Sequence, residues 1–225
     1  MCITPSVSAQ SKDSSLKNFL DSIKKTQGTN PDLINGYLYI PNYQFEGHPY
    51  FTENKWNRGI IYIDNNAFYD RQIKYNINKD ALILKAEFEE GVFKMVQLNK
   101  LLVDSFRIHN RLFVNARSYL TKANNPVYYE QIFDGKISFL ARYSKPVRWD
   151  ANSPNGIYSI TIEDRYIIDN GELISVNNRW SFLQAFPKNI RKQIRNYLKE
   201  KNIRYSSTNS MQLKNIMKFC SNLYD

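Results

Sequence analysis

The sequence predicts an α+β fold. Apolar and polar residues alternate with a period of two from Gly36 to Val176, hairpin dipeptides interrupt that region, and helical periodicity follows it. We therefore expect an antiparallel, strongly twisted or barrel-like sheet of about ten strands built from hairpins, because open sheets of that size tend to curl. An N-terminal helix and two to three C-terminal helices complete the expected fold.

The composition is compatible with one sizeable core. The chain has 225 residues, of which 42% are hydrophobic and 14% aromatic, and this amount of apolar side chain can cover a large sheet. No run of 18 apolar residues occurs, so no transmembrane segment is predicted. The two cysteines, Cys2 and Cys220, are too few for a disulfide framework or a cysteine-rich metal site. No cofactor is predicted, and we expect Cys220 to be a buried thiol.

Individual strands and turns follow from local patterns. The clearest strand alternates apolar residues with Gln72, Lys74 and Asn76, so these three polar side chains are expected to face water. Asp134-Gly135 and Asn170-Gly171 separate apolar runs and predict hairpins, since a type I′ turn needs positive φ at both central residues. A further hairpin turn is expected at His109-Asn110.

The N-terminal residues resemble the end of a secretory leader. Small residues in Val7-Ser8-Ala9 match the pattern before a cleavage point, so residues 1–9 are interpreted as a leader remnant and Gln10 as the mature start. The alternative is a disordered tail. Residues 10–35 then hold the N-terminal helix and a lead-in, and residues 36–225 form one β-rich domain with helices from about 177. The helix is indicated by the spacing of Leu16, Phe19, Leu20 and Ile23.

Four segments carry a resemblance to other proteins. They are Glu46-Gly-His-Pro-Tyr-Phe51, Trp56-Asn-Arg-Gly-Ile60, Tyr69-Asp70 and Ile73-Lys-Tyr-Asn-Ile77. With the basic C-terminal helices, they resemble a broad group of secreted, β-rich bacterial proteins of unknown function. The resemblance covers residues 36 to 225 and implies export and the fold. It implies no catalytic residue.

Positive charge is concentrated at the C-terminus. The net charge is +10, and residues 187–225 carry nine basic residues against two acidic ones. Like charges four residues apart destabilise a helix, so their presence suggests a use, with an anionic membrane surface, an acidic glycan or an envelope protein as partner. The alternative is a solvated face, which is the commoner explanation of such charges. Nucleic acid is not expected in an exported protein. The candidate binding residues are Lys188, Arg191, Lys192, Arg195 and Lys199.

A loop near the start of the sheet is the second candidate site. His48 lies beside a proline, Glu46 is a candidate acid/base partner, and the surrounding aromatic residues include Tyr50 and Trp56. A metal at His48 would need further ligands that are absent nearby in sequence. The structural alternative is a turn before a strand. The aromatic residues either stack on sugars or a partner, or pack in the core.

These patterns favour an exported protein of the periplasm or cell envelope. We expect a non-enzymatic binding or scaffold module. One alternative is a hydrolase whose carboxylates, such as those of Glu87, Glu89 and Glu90, assemble only in the fold. Another is a basic nucleic-acid-binding domain, if the protein is not exported.

Overall fold

The computed structural model describes residues 36–42, 44–88, 91–118, 126–149, 155–169 and 171–223. The expected leader at residues 1–9 and the helix expected within 10–35 lie outside the described residues. No helix within the described part of the chain is long and apolar enough to span a membrane.

Thirteen strands are present among the described residues, and eleven of them form one antiparallel sheet. The order across the sheet is β1-β5-β4-β3-β2-β6-β7-β8-β9-β12-β13, while β10 and β11 pair separately. Neighbours in the sheet are mostly neighbours in sequence, as expected for hairpins. The strands are β1 (Gly36–Leu38), β2 (Asn57–Ile63), β3 (Asn66–Asn76), β4 (Ala81–Glu87), β5 (Phe93–Leu98), β6 (Val103–Ile108), β7 (Arg111–Asn115), β8 (Tyr128–Phe133), β9 (Ser138–Ser144), β10 (Val147–Arg148), β11 (Ile157–Tyr158), β12 (Ile162–Asp169) and β13 (Glu172–Ser175).

The expectation of an antiparallel sheet followed by helices is confirmed, but the barrel-like alternative is wrong. The sheet is open, because β1 and β13 are its edges and no described pairing joins them. A closed barrel fills its interior with the side chains of its own strands. Here helical side chains such as Phe182, Ile194 and Ile216 pack in the same core cluster as strand residues such as Phe106 and Phe139. The helices therefore cover the sheet face that would line the interior of a closed barrel.

Hairpin turns follow the sequence signals in two of three cases. His109 and Asn110 have φ values of 49° and 60°, and Ile108 pairs with Arg111 across them. At the Asn-Gly signal, Asp169 pairs with Glu172 and Gly171 has a φ of 78°, while Asn170 lies outside the described residues. The tight turn expected at Asp134-Gly135 is wrong. There the strands end at Phe133 and Ser138, and a register shift precedes the connection.

Aromatic rings dominate the middle of the core. Phe106 stacks on Phe113 at 4.9 Å, and Tyr75 meets both rings edge-on at 5.1 and 5.0 Å. The Tyr75 hydroxyl donates to Asp80 Oδ1 at 2.6 Å, and Lys100 Nζ donates to the other oxygen of that carboxylate at 2.7 Å. The buried hydroxyl and the carboxylate thereby satisfy each other, as burial requires.

Three helices follow the sheet: α1 (Arg179–Gln184), α2 (Lys188–Glu200) and α3 (Ser210–Ser221). Asn178 and Asn209 cap α1 and α3 with reciprocal capping boxes, which satisfy backbone N–H groups that a helix start leaves unpaired. Cys220 on α3 is fully buried, as predicted. Burial raises the pKa of its thiol to about 12, so it is an unreactive core residue.

Arg165 attaches the helices to the sheet. It lies on β12 and is buried, and its guanidinium donates to Tyr205 O at 2.6 Å, Thr208 Oγ1 at 2.9 Å and Thr208 O at 2.9 Å. Its Nε donates to Glu163 Oε1 at 2.8 Å. Since Tyr205 and Thr208 belong to the connection between α2 and α3, one buried cation holds both helices against the sheet.

Replacing Arg165 with Met tests this attachment. Arg165→Met removes the buried donors to Thr208 Oγ1 and Thr208 O and the cation beside Glu163, so we expect a loss of about 3 kcal/mol in the free energy of unfolding. Urea denaturation followed by circular dichroism measures it. Arg58→Met is the matched control, because the Arg58–Asp70 ion pair is largely exposed and its loss should cost at most about 0.5 kcal/mol. Equal effects of the two substitutions would contradict the assigned role.

Candidate functional site

Four basic residues of α2 form one stripe on its solvent face. Their spacing is i, i+4, i+7 and i+11, which places them within about 60° of one another and over about 16 Å of helix length. The opposite face of α2 is buried through Ile190, Ile194 and Leu198, so the stripe faces outward. The four residues, here called the cationic stripe, are Lys188, Lys192, Arg195 and Lys199, and all are exposed.

The cationic stripe has no acidic counterpart among the described residues. None of its four side chains takes part in an ion pair there, and Glu200 is the one acidic residue of α2. Like charges at this spacing cost a helix a few tenths of a kcal/mol per pair. The arrangement therefore leaves four positive charges directed at solvent.

Arg191, the fifth basic candidate on α2, has a structural position. Its guanidinium donates to Phe186 O at 2.7 Å and Gln184 O at 2.9 Å, and it also contacts the Gln184 side chain. These acceptors lie at and just after the C-terminus of α1, where carbonyls lack helical partners. Arg191 is thus turned toward α1 and away from the cationic stripe.

The second candidate site is built on a segment that pairs with β3. Phe51 N–H donates to Tyr75 O and Ile77 N–H donates to Pro49 O, both at 2.9 Å. His48 precedes this pairing, and its Nδ1 accepts the Tyr50 N–H at 3.2 Å while the two rings stack. A neutral imidazole that accepts at Nδ1 carries its proton on Nε2, so His48 presents a donor on its other side.

Two lysines from distant parts of the chain join this segment. Lys74 on β3 places Nζ 4.5 Å from the Tyr50 ring centre and 4.9 Å from the Trp56 ring centre, and it donates to Asn54 Oδ1 at 2.8 Å. Lys145, after β9, donates to Tyr50 O at 3.2 Å. His48, Tyr50 and Trp56, predicted from sequence, are therefore brought together around two ammonium groups.

The pKa values of the cluster reflect burial and like charge. Burial lowers the pKa of His48, and the positive charges of Lys145 and Lys74 lower it further. Burial also lowers the pKa of Lys74 and of Lys145. All three shifts disfavour the protonated form, and a bound anion would reverse them.

Glu46 pairs with β11 through its backbone. Its N–H donates to Gly156 O at 2.9 Å and its carbonyl accepts from Tyr158 N–H at 3.0 Å, so the segment around Glu46 extends the β10–β11 pair. The Glu46 residue is exposed. Its suggested role as an acid/base partner of His48 remains a prediction.

The prediction that Gln72, Lys74 and Asn76 face water is wrong for Lys74 and Asn76, at the C-terminal end of β3. Lys74 is only 8% exposed and Asn76 only 2%, because the segment containing Tyr50 and Trp56 covers them. Asn76 also donates to the Tyr39 hydroxyl at 3.0 Å. Period-two alternation predicts which side chains share a face of a strand, but it does not show that a loop covers that face. The burial of Lys74 therefore could not be predicted from the alternation.

The described carboxylates do not gather into a metal site. No group of three or more His, Cys, Asp or Glu residues suited to a metal occurs among the described residues. The most buried carboxylate, Glu130, receives the Arg111 guanidinium and the Tyr143 hydroxyl, the latter at 2.7 Å. Its charge is thus neutralised within the core. Of the predicted acidic cluster, Glu89 and Glu90 lie outside the described residues.

Comparisons with known proteins add no assignment. No protein-family model, curated protein or solved structure matches the chain. The resemblance to secreted β-rich proteins therefore stays a prediction.

The charge environment of His48 can be measured directly. We expect its pKa to lie below the ordinary value of about 6.5 and to rise in Lys145→Gln, because a neighbouring positive charge is removed. Proton NMR titration of the imidazole measures both values. Lys214→Gln, at an exposed position on α3, is the control and should leave the His48 pKa unchanged.

The same shift has a consequence for stability. The unfolded imidazole binds a proton more readily than the folded one, so stability falls as pH drops through about 6.5 and levels off below the folded pKa. A His48 pKa at or above its ordinary value would contradict the assigned geometry.

Proposed function

We propose that the chain is a non-enzymatic binding module of the cell envelope that attaches to an anionic lipid surface through the cationic stripe. The single observation that carries this is the alignment of Lys188, Lys192, Arg195 and Lys199 on one exposed helix face without acidic partners among the described residues. The location in the envelope rests on the leader-like pattern Val7-Ser8-Ala9.

Helix packing supports a surface that approaches a flat partner. The buried residues of α2 belong to the main core, so the helix is held with its cationic side outward and needs no rearrangement to bind. A helix that is already held by core packing loses little backbone freedom on binding. The stripe is therefore preorganised for a broad anionic surface.

An exposed tryptophan lies on the same helical unit. Trp180 on α1 is 70% exposed and shares a helix face with Gln184, whose carbonyl and side chain contact Arg191 of α2. Tryptophan is enriched where apolar and aqueous phases meet. An exposed tryptophan on the helix that precedes α2 favours a lipid headgroup region over a nucleic acid among the anionic partners.

The expected strength is modest and sensitive to salt. Each Lys or Arg near an anionic bilayer contributes about 1 kcal/mol, so four residues contribute about 4 kcal/mol in total. This attraction is screened over about 8 Å at physiological ionic strength. The module would bind reversibly and would need a further contact for permanent attachment.

Neutralising the centre of the stripe tests the proposal. Lys192→Gln combined with Arg195→Gln should lower partitioning onto vesicles of phosphatidylglycerol and phosphatidylcholine about thirty-fold, since about 2 kcal/mol is lost. Co-sedimentation at low and physiological salt measures it.

The control for this experiment has the same net charge. Lys79→Gln combined with Lys94→Gln removes two exposed cations from the sheet and should bind as the wild type. If both double variants lose binding equally, net charge alone is responsible and the stripe is not the site. Tighter binding to duplex nucleic acid than to the vesicles would favour the nucleic-acid alternative.

A further inference from the structure

A second surface combines charge with exposed aromatic rings at the β10–β11 pair. The Glu46 segment runs parallel to β11, and β10 runs antiparallel on the other side of β11. Ser159 N–H donates to Pro146 O at 2.9 Å, which continues the pairing. The three segments therefore form a small ribbon separate from the eleven-stranded sheet.

The strand directions determine which side chains lie at each end of this ribbon. Because the Glu46 segment and β10 run in opposite directions, Phe45 lies at the same end as Trp149, and His48 lies at the same end as Lys145. The 5.8 Å contact between the Phe45 and Trp149 rings marks the first end. The second end is marked by Tyr50, whose carbonyl accepts from Lys145 Nζ and whose N–H donates to His48 Nδ1, both at 3.2 Å.

The aromatic end presents an exposed ring on a rigid support. Trp149 is 72% exposed, and Phe45 contacts it edge-on while also meeting the Tyr158 ring at 5.5 Å. Phe45 packs closely over Gly156, where an added Cβ would lie 2.5 Å from Val147 Cγ1 and 3.2 Å from the Phe45 ring. Trp149 thus contacts Phe45 on one side, and the rest of its ring is exposed and available for stacking.

The charged end offers donors and positive charge. Lys145 is half-buried and the His48 Nε2 carries a proton, as its Nδ1 acceptor role requires. Lys74 is already bonded to Asn54, so it contributes charge more than contact. An anionic group here would gain charge-assisted hydrogen bonds and would offset the charges of the two lysines beside His48.

The spacing of the two ends selects the kind of ligand. Lys145 and Trp149 are four residues apart in extended chain, which corresponds to about 13 Å. That distance exceeds one sugar ring and matches a short oligosaccharide. A flat aromatic face suits the apolar face of a pyranose, while the lysine and histidine donors suit an acidic substituent.

We propose that this surface, the aromatic–cationic corner, binds an acidic oligosaccharide. The corner consists of Phe45, His48, Lys74, Lys145, Trp149 and Tyr158. One sugar stacks on Trp149, and the carboxylate or sulfate of another lies against Lys145 and the His48 Nε2–H. The site lies on different residues from the cationic stripe and does not depend on membrane attachment.

The test uses galacturonic acid tetramers, a sulfated tetramer and a neutral tetramer as probes. Titration calorimetry is performed on the full chain carrying Lys192→Gln and Arg195→Gln, so that stripe binding of polyanions does not contribute. We expect an acidic tetramer to bind and the neutral one to bind at least ten-fold more weakly. Binding of the uronate or of the sulfated probe alone identifies the acidic group and supports the proposal.

Two substitutions assign binding to the corner. Lys145→Gln and Trp149→Ala should each weaken binding about ten-fold, the loss of a charge-assisted bond or a stacking surface. Trp180→Ala and Lys214→Gln remove an equally exposed tryptophan and a more exposed lysine elsewhere and should have no effect. Because Trp149 is mostly exposed, its substitution should leave the unfolding midpoint unchanged, which keeps the test valid if Lys145→Gln is unstable.

The two histidines report the location of the ligand without any substitution. The bound anion should raise the pKa of His48 in an NMR titration, while the ring resonances of His109, exposed at the β6–β7 turn, should not respond to the ligand. Equal binding of acidic and neutral tetramers, wild-type affinity in Lys145→Gln and Trp149→Ala, or an unmoved His48 pKa would overturn the proposal. The vesicle experiment is unaffected by any of these results, so the two proposals fail independently.

Discussion

The apolar face of the open sheet is the constraint on which the rest of the structure depends. Eleven strands leave one large face that must be removed from water, and the three C-terminal helices cover it. Arg165 fixes the position of the helices on this face, because its hydrogen bonds to Tyr205 and Thr208 hold the connection between α2 and α3. The outward direction of the cationic stripe is a result of this packing, since α2 buries the opposite side.

Buried polar groups in this protein have two distinct roles. Arg165, and Glu130 with Arg111, are enclosed by partners that satisfy their charge, and they hold the fold together. Lys74 and Lys145 are also partly withdrawn from water, but they gather near an imidazole whose pKa they lower. The first arrangement neutralises charge, whereas the second accumulates it, and accumulated charge at a surface is suited to a ligand.

The two proposed surfaces belong to different parts of the fold and to different kinds of binding. The cationic stripe relies on several equivalent charges on a rigid helix, so it is suited to an extended partner without defined sequence. The corner combines one exposed ring with a small group of donors, so it is suited to a ligand of defined length. A protein of the envelope that used both would hold a surface glycan close to a bilayer.

The sequence by itself determined the antiparallel strands, the turn at His109-Asn110 and the basic face of α2, because these depend on residues close together in the chain. It also identified His48, Tyr50 and Trp56 as neighbours. Only the tertiary structure decided that the sheet stays open, that Arg191 caps α1, and that Lys74 and Lys145 join His48. Those outcomes depend on contacts between residues far apart in sequence, and a local pattern carries no information about which distant segment will cover a given face.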